Sequence, residues 1–566
     1  MSQRQIFLLQ VLVWAACLLL IPAEAGCVTG QPELVTPQGT LQGKQVAVKG
    51  TDRRVDVFLG IPFARPPVGP LRFSPPQPAE SWDGVRDATT FPPICLQDLE
   101  MMGRLKELMD IKEYLLPTSE DCLFLNVYTP ARCAERKDKL PVMVWIHGGG
   151  LMMGGASLFD GSVLSAYEDV VMVSIQYRLG ILGFFSTGDE QAHGNWGFLD
   201  QVAALQWVRD NIASFGGDPS SVTIFGESAG GVSVSALVLS PLSKGLFHRA
   251  ISQSGVSIFP GLVTAHPEPV ANIIANLTGC EAASMAETVE CLRKKAAKEV
   301  VLTVQQQQHL PIVPVSVDGI FFPKAPEELL RRQEFHRIPY LIGINNHEFG
   351  WLLPKTMNFS GLKEGMTRET ILSTIKSVRA IMDIPSELVH LLADEYLGIE
   401  KDPLALRDAF LDLMGDRFFV IMSFKTAQYH RDAGAAVYFY EFQHRSSLIS
   451  KIKPDYVKAD HGDEITFVFG GPFMANESFL FAFPGAREEE KQLSKTMMQY
   501  WANFARTGDP NGKGLFHWPL FDLTESYLEL NLTPKIGKKL RGAKMEFWMK
   551  TLPEAIWKYQ EGKKEL

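Results

Sequence analysis

A Gly-x-Ser-x-Gly pattern lies between a short strand-like run and an apolar helical run, and it restricts how this chain can fold. The β-branched run 221–225 leads into Gly226-Glu227-Ser228-Ala229-Gly230. Glycines flank the serine because a Cβ at either position would clash in so sharp a turn. The five-residue pattern alone should occur by chance in roughly one in five chains of this length. Together with its strand and helix, it predicts a nucleophile elbow from which Ser228 projects at the top of a sheet.

A second apolar strand upstream ends in a glycine-rich loop. The run 142–146 leads directly into His147-Gly148-Gly149-Gly150, which resembles the oxyanion loop of lipases and esterases. Consecutive glycines let backbone N–H groups face a carbonyl oxygen on which negative charge develops during acyl transfer. We expect the N–H groups of Gly149, Gly150 and Ala229 to be these donors. Without the elbow, the same loop would be equally typical of a simple turn at a strand end.

A serine needs a general base before it can act as a nucleophile. Of the twelve histidines, His461 is the best candidate because its polar loop, 460–464, follows the predicted strand 436–442. His147 belongs to the glycine-rich loop and precedes the serine. His517 stands beside a Trp-Pro pair, which is typical of packing.

An acidic residue must orient this base, and the expected chain order is serine, acid, histidine. Glu348 follows the apolar run 338–344 and is the preferred candidate. Asp318 is the second candidate, but its Asp-Gly pair is more typical of a simple turn. A buried carboxylate at Glu348 would fix the tautomer of His461 and stabilise the imidazolium that forms when Ser228 attacks.

Longer motifs extend this pattern over nearly the whole chain. Those shared with a broad family lie at 58–67, 120–128 and 215–219, and those of a narrower group lie at 194–197, 345–351, 458–464 and 500–506. On these motifs the sequence resembles the type-B carboxylesterase and lipase family, and within it the mammalian type 2 (liver and intestinal) carboxylesterases. The resemblance implies an α/β-hydrolase fold with a large, mostly parallel central sheet flanked by helices. Helical insertions, expected around 325–333 and 368–395, would form a gorge or lid or simply pack on the core.

The resemblance implies a triad of Ser228, Glu348 and His461, with Glu227 and Ser254 hydrogen-bonded near the base. It further implies a serine ester hydrolase that forms an acyl-enzyme on neutral esters of xenobiotic or lipid type, with a small acyl group and a bulky alcohol. Acylglycerol or acylcarnitine hydrolysis is the alternative, since it would use the same residues. A non-catalytic, neuroligin-like binding protein is the rival from another class, and the intact serine disfavours it.

Six cysteines remain when Cys17, in the N-terminal apolar run, is set aside. Their adjacency and the resemblance imply two disulfides in an oxidising compartment, namely Cys95–Cys122 and Cys280–Cys291. Cys27 and Cys133 fall outside these pairs, and whether they are free or bonded to each other is left open.

Both ends of the chain carry targeting signals. The apolar run 6–21 and Ala23-Glu24-Ala25 predict a secretory signal peptide of residues 1–25, followed by a single hydrolase domain of residues 26–566. A signal anchor is the alternative, and no later segment is long and apolar enough to span a bilayer. The terminus Lys563-Lys564-Glu565-Leu566 resembles a retrieval signal of the endoplasmic reticulum. We expect a protein of the endoplasmic reticulum lumen that binds a retrieval receptor, with secretion as the alternative.

Charge and composition limit the classes of molecule that this chain is expected to bind. A formal net charge of −9 argues against a nucleic-acid partner and leaves small-molecule esters as the expected substrates. No close-spaced Cys/His cluster of the zinc type is present, and the chemistry needs no metal or cofactor. In an oxidising compartment, Asn276, Asn358 and Asn476 are glycosylation candidates. The sequence leaves the oligomeric state open.

Overall fold

The computed structural model describes residues 31–108, 116–131, 138–305, 313–378, 382, 384–477 and 479–564. Eleven strands in these ranges form one sheet. In chain order they are β1 (Lys44–Ala47), β2 (Arg54–Pro62), β3 (Phe124–Pro130), β4 (Leu140–Ile146), β5 (Val171–Ile175), β6 (Gly217–Glu227), β7 (Arg249–Gln253), β8 (Tyr340–Asn345), β9 (Val437–Phe442), β10 (Ser526–Leu530) and β11 (Lys535–Lys538). Their spatial order in the sheet is β11-β10-β9-β8-β7-β6-β4-β5-β3-β2-β1.

The centre of this sheet is parallel. Strands β5, β4, β6, β7, β8, β9 and β10 pair in parallel, while β1, β2 and β3 on one side and β11 on the other pair antiparallel. Central strands such as β5 and β8 are buried along their whole length, because helices cover both faces and both faces of each strand must be apolar. The expected α/β-hydrolase architecture with a large, mostly parallel sheet is confirmed.

Helices connect and flank the strands. In the described residues they are α1 (Leu99–Leu108), α2 (Ser162–Glu168), α3 (Gly180–Phe184), α4 (Trp196–Asn211), α5 (Ala229–Leu239), α6 (Glu268–Thr278), α7 (Met285–Lys294), α8 (Ala297–Gln305), α9 (Pro326–Arg331), α10 (Leu352–Thr356), α11 (Arg368–Ser377), α12 (Val389–Leu397), α13 (Pro403–Gly415), α14 (Ile421–Asp432), α15 (Ile465–Val468), α16 (Glu488–Thr507), α17 (Gly542–Glu546) and α18 (Leu552–Lys564). The short segments Asp416–Val420 and Phe547–Thr551 are π-helical. Glu33–Thr36, Gly39–Gln42 and Val85–Asp87 form a three-stranded sheet, and Ile94–Cys95 with Thr118–Ser119 and Val263–Thr264 with Val315–Ser316 form two-stranded ones.

Alternate residues of the central strands face two separate cores. In β4, Val142 and Val144 pack into the larger core, whereas Met143 and Trp145 pack into the second one on the opposite face. This alternation follows from the period of two in a strand. Both faces of the sheet are thus packed against a core, and the carboxyl ends of its parallel strands support the loops that follow them.

One helix begins earlier than its apolar spacing indicates. The pattern 199–212 predicts a start near Leu199, whereas α4 begins at Trp196. The reason is tertiary: Asn195 adopts a left-handed conformation with φ of 59°. Its side chain donates to the carbonyl of Ser316 at 2.8 Å and accepts the N–H of the same residue at 3.1 Å.

Two disulfides join Cys95 to Cys122 and Cys280 to Cys291, and such loop closures each stabilise a fold by about 2 to 4 kcal/mol. Cys27, Cys133, the predicted signal peptide and the last two residues of the chain lie outside the described residues. Among the helices that the structure describes, none has both the length and the apolar character that a membrane span requires.

The three asparagines with glycosylation patterns, Asn276, Asn358 and Asn476, have exposed side chains. Exposure is necessary for attachment of a glycan, and their use stays a prediction.

Candidate active site

Ser228 lies in a strained turn between β6 and α5. Its φ of 56° and ψ of −124° are unfavourable for a residue with a Cβ, and such strain is typical of functional sites. Backbone hydrogen bonds hold the turn on both sides: Ser228 N–H donates to the Gln253 carbonyl at 2.9 Å, and the Ser228 carbonyl accepts from Val232 at 2.9 Å. A Cβ on Gly230 would lie 2.0 Å from the Ile146 carbonyl oxygen, so this position requires glycine.

Three side chains form a continuous hydrogen-bonded chain. His461 Nε2 lies 2.8 Å from Ser228 Oγ, and His461 Nδ1 lies 2.6 Å from Glu348 Oε2. Because a carboxylate only accepts, Nδ1 carries the proton and Nε2 is free to accept one from the serine. The other Glu348 oxygen accepts the Ser254 hydroxyl at 2.6 Å and the Asn345 N–H at 2.7 Å. The structure thus brings together the serine, acid and base that the sequence predicts.

Neighbouring parallel strands deliver these residues to one edge of the sheet. Ser228 follows β6, Ser254 follows β7, Glu348 follows β8, and His461 lies in the loop after β9. The carboxyl ends of parallel strands meet at a common edge, which is where open α/β sheets bind ligands. The site therefore follows directly from the strand order.

The other candidates from the sequence take no part in this hydrogen-bonded chain. Asp318 Oδ1 accepts the N–H groups of Phe321 and Phe322, both at 2.9 Å, so this carboxylate closes a turn. His147 stacks on Tyr177 with ring centroids 4.5 Å apart. The expectation that His517 packs into the interior is wrong, because its side chain is exposed. The neighbouring Trp518 packs in the core instead.

The glycine-rich loop lies against the elbow. A Cβ on Gly148 would lie 2.7 Å from the carbonyl oxygen of Glu227. Gly149 and Gly150 have φ values of 101° and 64°, which are accessible to glycine. Within the described part of the chain, the N–H groups of Gly149, Gly150 and Ala229 donate to no protein acceptor. These donors are therefore available to a carbonyl oxygen beside the serine.

Buried carboxylates surround the base. Glu227 Oε1 lies 3.2 Å from His461 Nε2. Burial lowers the pKa of His461, but the charges of Glu227 and Glu348 outweigh it and raise the pKa above its ordinary value. Burial raises the pKa of Glu227 while the positive charge of His461 lowers it, so the Glu227 carboxylate and the imidazolium stabilise each other. The site therefore favours a positively charged imidazolium, the species that forms when the serine gives up its proton.

A further carboxylate behind the base was not among the predicted residues. Glu464 accepts Gln253 Nε2 at 3.0 Å and Asn345 Nδ2 at 2.6 Å, and Gln253 Oε1 accepts the indole N–H of Trp501 at 3.0 Å. This network links the ends of β7 and β8 to the loop of His461. Glu464 belongs to the sequence motif that identified His461, which is the signal that could have found it.

An aromatic cluster forms an apolar wall beside the base. The ring of Phe419 lies 4.6 Å from that of His461, and Phe259 contacts both Phe418 and Phe419, at 5.3 and 5.8 Å between centroids. The two consecutive phenylalanines lie in the π-helical segment Asp416–Val420. The extra residue in such a segment changes which side chains point into a site, and the sequence pattern did not indicate it.

Substitution of Glu227 by glutamine is expected to move the acidic limb of the pH profile of kcat/KM to lower pH by about one unit. The Glu227 carboxylate favours the charged imidazolium, so its removal lowers the pKa of His461 and leaves the base neutral in more acidic solution. The measurement is kcat/KM against pH at constant ionic strength. The control is Glu80→Gln, since Glu80 has a side chain that is 76% exposed. An acidic limb that stays in place or moves upward in Glu227→Gln would contradict this account.

Comparison with known proteins agrees with this geometry. The model of the carboxylesterase family matches residues 30–548. The chain is 53% identical to carboxylesterase 3 of Homo sapiens, over 98% of this chain and 97% of that protein. It is 54% identical to the medium-chain fatty acyl-CoA hydrolase precursor of Anas platyrhynchos, over 92% of each chain. It is 50% identical to the acylcarnitine hydrolase of Mus musculus, over 92% of this chain and 91% of that one.

The expected family is thereby confirmed, while the narrower likeness to type 2 members stays a prediction. The match extends over nearly the full length of the relatives, so it covers the strands and loops that carry the hydrogen-bonded chain. The protein belongs to the carboxylesterase family and is a carboxylesterase, an enzyme that hydrolyses esters.

Proposed function

We propose that this enzyme cleaves neutral carboxylic esters through an acyl-enzyme on Ser228. The observation that carries the proposal is the chain of hydrogen bonds from Ser228 Oγ through His461 to Glu348, with distances of 2.8 and 2.6 Å. In this proposal His461 is the general base, Glu348 orients it, and Glu227 and Ser254 support the pair. A hydrogen-bonded nucleophile and base, with the base held by a third group, is the arrangement that nucleophilic catalysis requires.

In the proposed reaction, Ser228 Oγ attacks the ester carbonyl while its proton passes to His461 Nε2. The N–H groups of Gly149, Gly150 and Ala229 stabilise the resulting oxyanion, and one such donor is worth about 3 to 4 kcal/mol in other enzymes. The imidazolium then gives the proton to the leaving alcohol. Water then gives a proton to His461 and attacks the acyl-enzyme, the carboxylic acid leaves, and His461 returns the proton to Ser228 Oγ.

Pre-steady-state kinetics test this route. Purified enzyme mixed with p-nitrophenyl acetate should release a burst of about one p-nitrophenol per chain, followed by slower turnover that deacylation limits. In an acid-quenched sample, mass spectrometry should find the acetyl group on the peptide that contains Ser228. An acetyl group on a different residue, or turnover without any acetylated peptide, would contradict the proposal.

We propose in addition that a small acyl group and a bulky, uncharged alcohol are preferred. The preference is implied by the resemblance to type 2 carboxylesterases. Phe418, Phe419 and Phe259 support an apolar partner because they place aromatic surface beside His461. The charged side chains nearest the base, Glu227 and Glu348, are acidic and provide no clamp for an anionic substrate.

Two isomeric esters separate acyl from alcohol preference. 2-Naphthylmethyl acetate has the small acyl group, and methyl 2-naphthylacetate has the small alcohol, while both leaving groups are alkoxides. We expect kcat/KM, divided by the rate constant of alkaline hydrolysis, to be at least about tenfold higher for the first ester. Octanoyl-CoA and palmitoylcarnitine represent the activities that the names of two relatives suggest, medium-chain fatty acyl-CoA hydrolysis and acylcarnitine hydrolysis. The preference would be overturned if kcat/KM for the thioester, for the carnitine ester or for methyl 2-naphthylacetate exceeded kcat/KM for 2-naphthylmethyl acetate.

We propose that the mature enzyme is a single domain of residues 26–566 in the lumen of the endoplasmic reticulum, with secretion as the alternative. The two disulfides support an oxidising compartment. In transfected cells, the intact chain should remain inside the cell and begin at Gly26, and a chain without its last four residues should appear in the medium. Equal secretion of both chains would favour the alternative.

A further inference from the structure

Lys453 is a buried lysine close to the base but outside the hydrogen-bonded chain. Its side chain has no exposed surface, and Nζ lies 2.6 Å from Asp463 Oδ1 and 3.0 Å from Asp460 Oδ2. The exposed fractions of these two carboxylates are 4% and 0%. One ammonium group therefore bridges the residue before His461 and the residue two positions after it.

The backbone of Lys453 is itself fixed. Its N–H donates to the carbonyl of Ile449 at 2.8 Å, and its carbonyl accepts Arg445 Nη2 at 3.1 Å. The loop after β9 thus holds the ammonium group at a defined position. Asp463 Oδ2 also accepts the N–H of Asp460 at 2.8 Å, which closes the turn around the histidine.

Asp460 extends this cluster to the loop that carries the acid. Its two carboxylate oxygens accept the N–H groups of Trp351 and Leu352, at 3.2 and 2.9 Å, where α10 begins just after Glu348. Its carbonyl accepts Asn345 Nδ2 at 2.6 Å, at the end of β8. The cluster of Lys453, Asp460 and Asp463 therefore connects the loop of the base with the loop of the acid.

The burial of a lysine together with two carboxylates is energetically unfavourable. Removal of these charges from water is unfavourable, and such clusters add little net stability compared with apolar side chains. Such clusters fix the positions of their members, because removal of one member leaves unpaired buried charges and the neighbouring groups then rearrange. A misplacement of about 1 Å in a catalytic group can cost about 100-fold in rate.

We propose that Lys453 is a positioning residue for the general base: it holds the turn 460–463 so that His461 Nε2 faces Ser228 and Nδ1 faces Glu348. The inference rests on the proposed function of these three residues. Lys453 makes no contact with the reacting atoms, so its effect should lie in the rate of acylation rather than in substrate binding.

The test compares Lys453→Met, Asp463→Asn and the double variant with the unchanged enzyme, using the burst of p-nitrophenol as a function of substrate concentration. The matched control is Lys49→Met, which removes an exposed pair with Glu477. We expect the acylation rate to fall about 10- to 100-fold in Lys453→Met and about tenfold in Asp463→Asn, with the half-saturating concentration within about threefold. The double variant should be no slower than Lys453→Met, because the two residues act as one unit.

Each outcome decides the inference. Acylation rates within about twofold of the unchanged enzyme, with only the melting temperature lowered, would overturn it and leave Lys453 a structural residue. Fully additive losses in the double variant would also overturn it, since the two residues would then act separately. If Lys453→Met does not fold, Asp463→Asn decides alone because it keeps the pair of Lys453 with Asp460. Failure of the proposed function is distinguishable, because the unchanged enzyme itself would then give no burst.

Discussion

Replacement of Ser228 by alanine is expected to lower kcat for p-nitrophenyl acetate by about 10⁶-fold, because Ser228 is the group that forms the acyl-enzyme in the proposed reaction. Alanine keeps the Cβ, so the strained backbone with φ of 56° is equally strained in the variant. The free energy of unfolding should therefore change by less than about 1 kcal/mol. Steady-state turnover, burst amplitude and urea denaturation of the variant measure these quantities side by side.

The matched control for this variant is Ser235→Ala, on α5, the helix that follows Ser228. Ser235 is buried and its Oγ lies 3.0 Å from Ser257 Oγ, away from the base. The control should keep kcat within about twofold of the unchanged enzyme. A Ser228→Ala protein that is folded and still turns over at a tenth of the normal rate would show that another nucleophile carries the reaction.

The residues of the hydrogen-bonded chain could be predicted because their positions follow from local rules. A glycine-flanked serine after a strand, an acid after a later strand and a histidine in a polar loop each leave a local pattern. Parallel strands then bring Ser228, Glu348 and His461 to the same edge of the sheet. The expected chain order of serine, acid and histidine then left Glu348 and His461 as the preferred partners of Ser228.

Beyond Glu227 and Ser254, the contacts of the supporting groups could not be predicted, because these residues meet only in three dimensions. Glu464 and Gln253 are far apart in sequence but hydrogen-bond at 3.0 Å. Lys453 in a polar loop is typical of a solvated residue, yet its side chain is completely buried. Phe419 packs beside the ring of His461 and lies in a π-helical segment that the sequence pattern does not indicate. In each case a tertiary contact overrides the local expectation.

Strain at Ser228 and the surrounding charge serve different parts of the proposed reaction. The turn exposes the hydroxyl at a fixed position, while the carboxylates of Glu227 and Glu348 stabilise the imidazolium. Fixed groups of this kind cost no reorganisation when the charge develops. In the proposed reaction, the position of the protons on His461 decides whether it can accept the proton of Ser228, and Glu348 is the residue expected to fix that position.

Replacement of Glu348 by glutamine is expected to lower kcat by about 10⁴-fold, although glutamine has almost the same shape. The Ser254 hydroxyl and the Asn345 N–H both donate to Glu348 Oε1, so the amide oxygen of glutamine must take that position. Its NH₂ group then faces His461 Nδ1, where the carboxylate lay at 2.6 Å. Nδ1 has to become the acceptor, the proton moves to Nε2, and the imidazole can no longer accept the proton of Ser228.

Asp318→Asn is the matched control, because it makes the same chemical change at the carboxylate that closes a turn. Its amide oxygen can still accept the N–H groups of Phe321 and Phe322, so kcat should stay within about twofold. The tautomer provides a second readout: nitrogen NMR of the neutral His461 ring, recorded at a pH above its pKa, should place the proton on Nδ1 in the unchanged enzyme and on Nε2 in Glu348→Gln. A large loss of kcat with the proton still on Nδ1 would mean that Glu348 acts by its charge alone, and a loss below about tenfold would remove it from the triad.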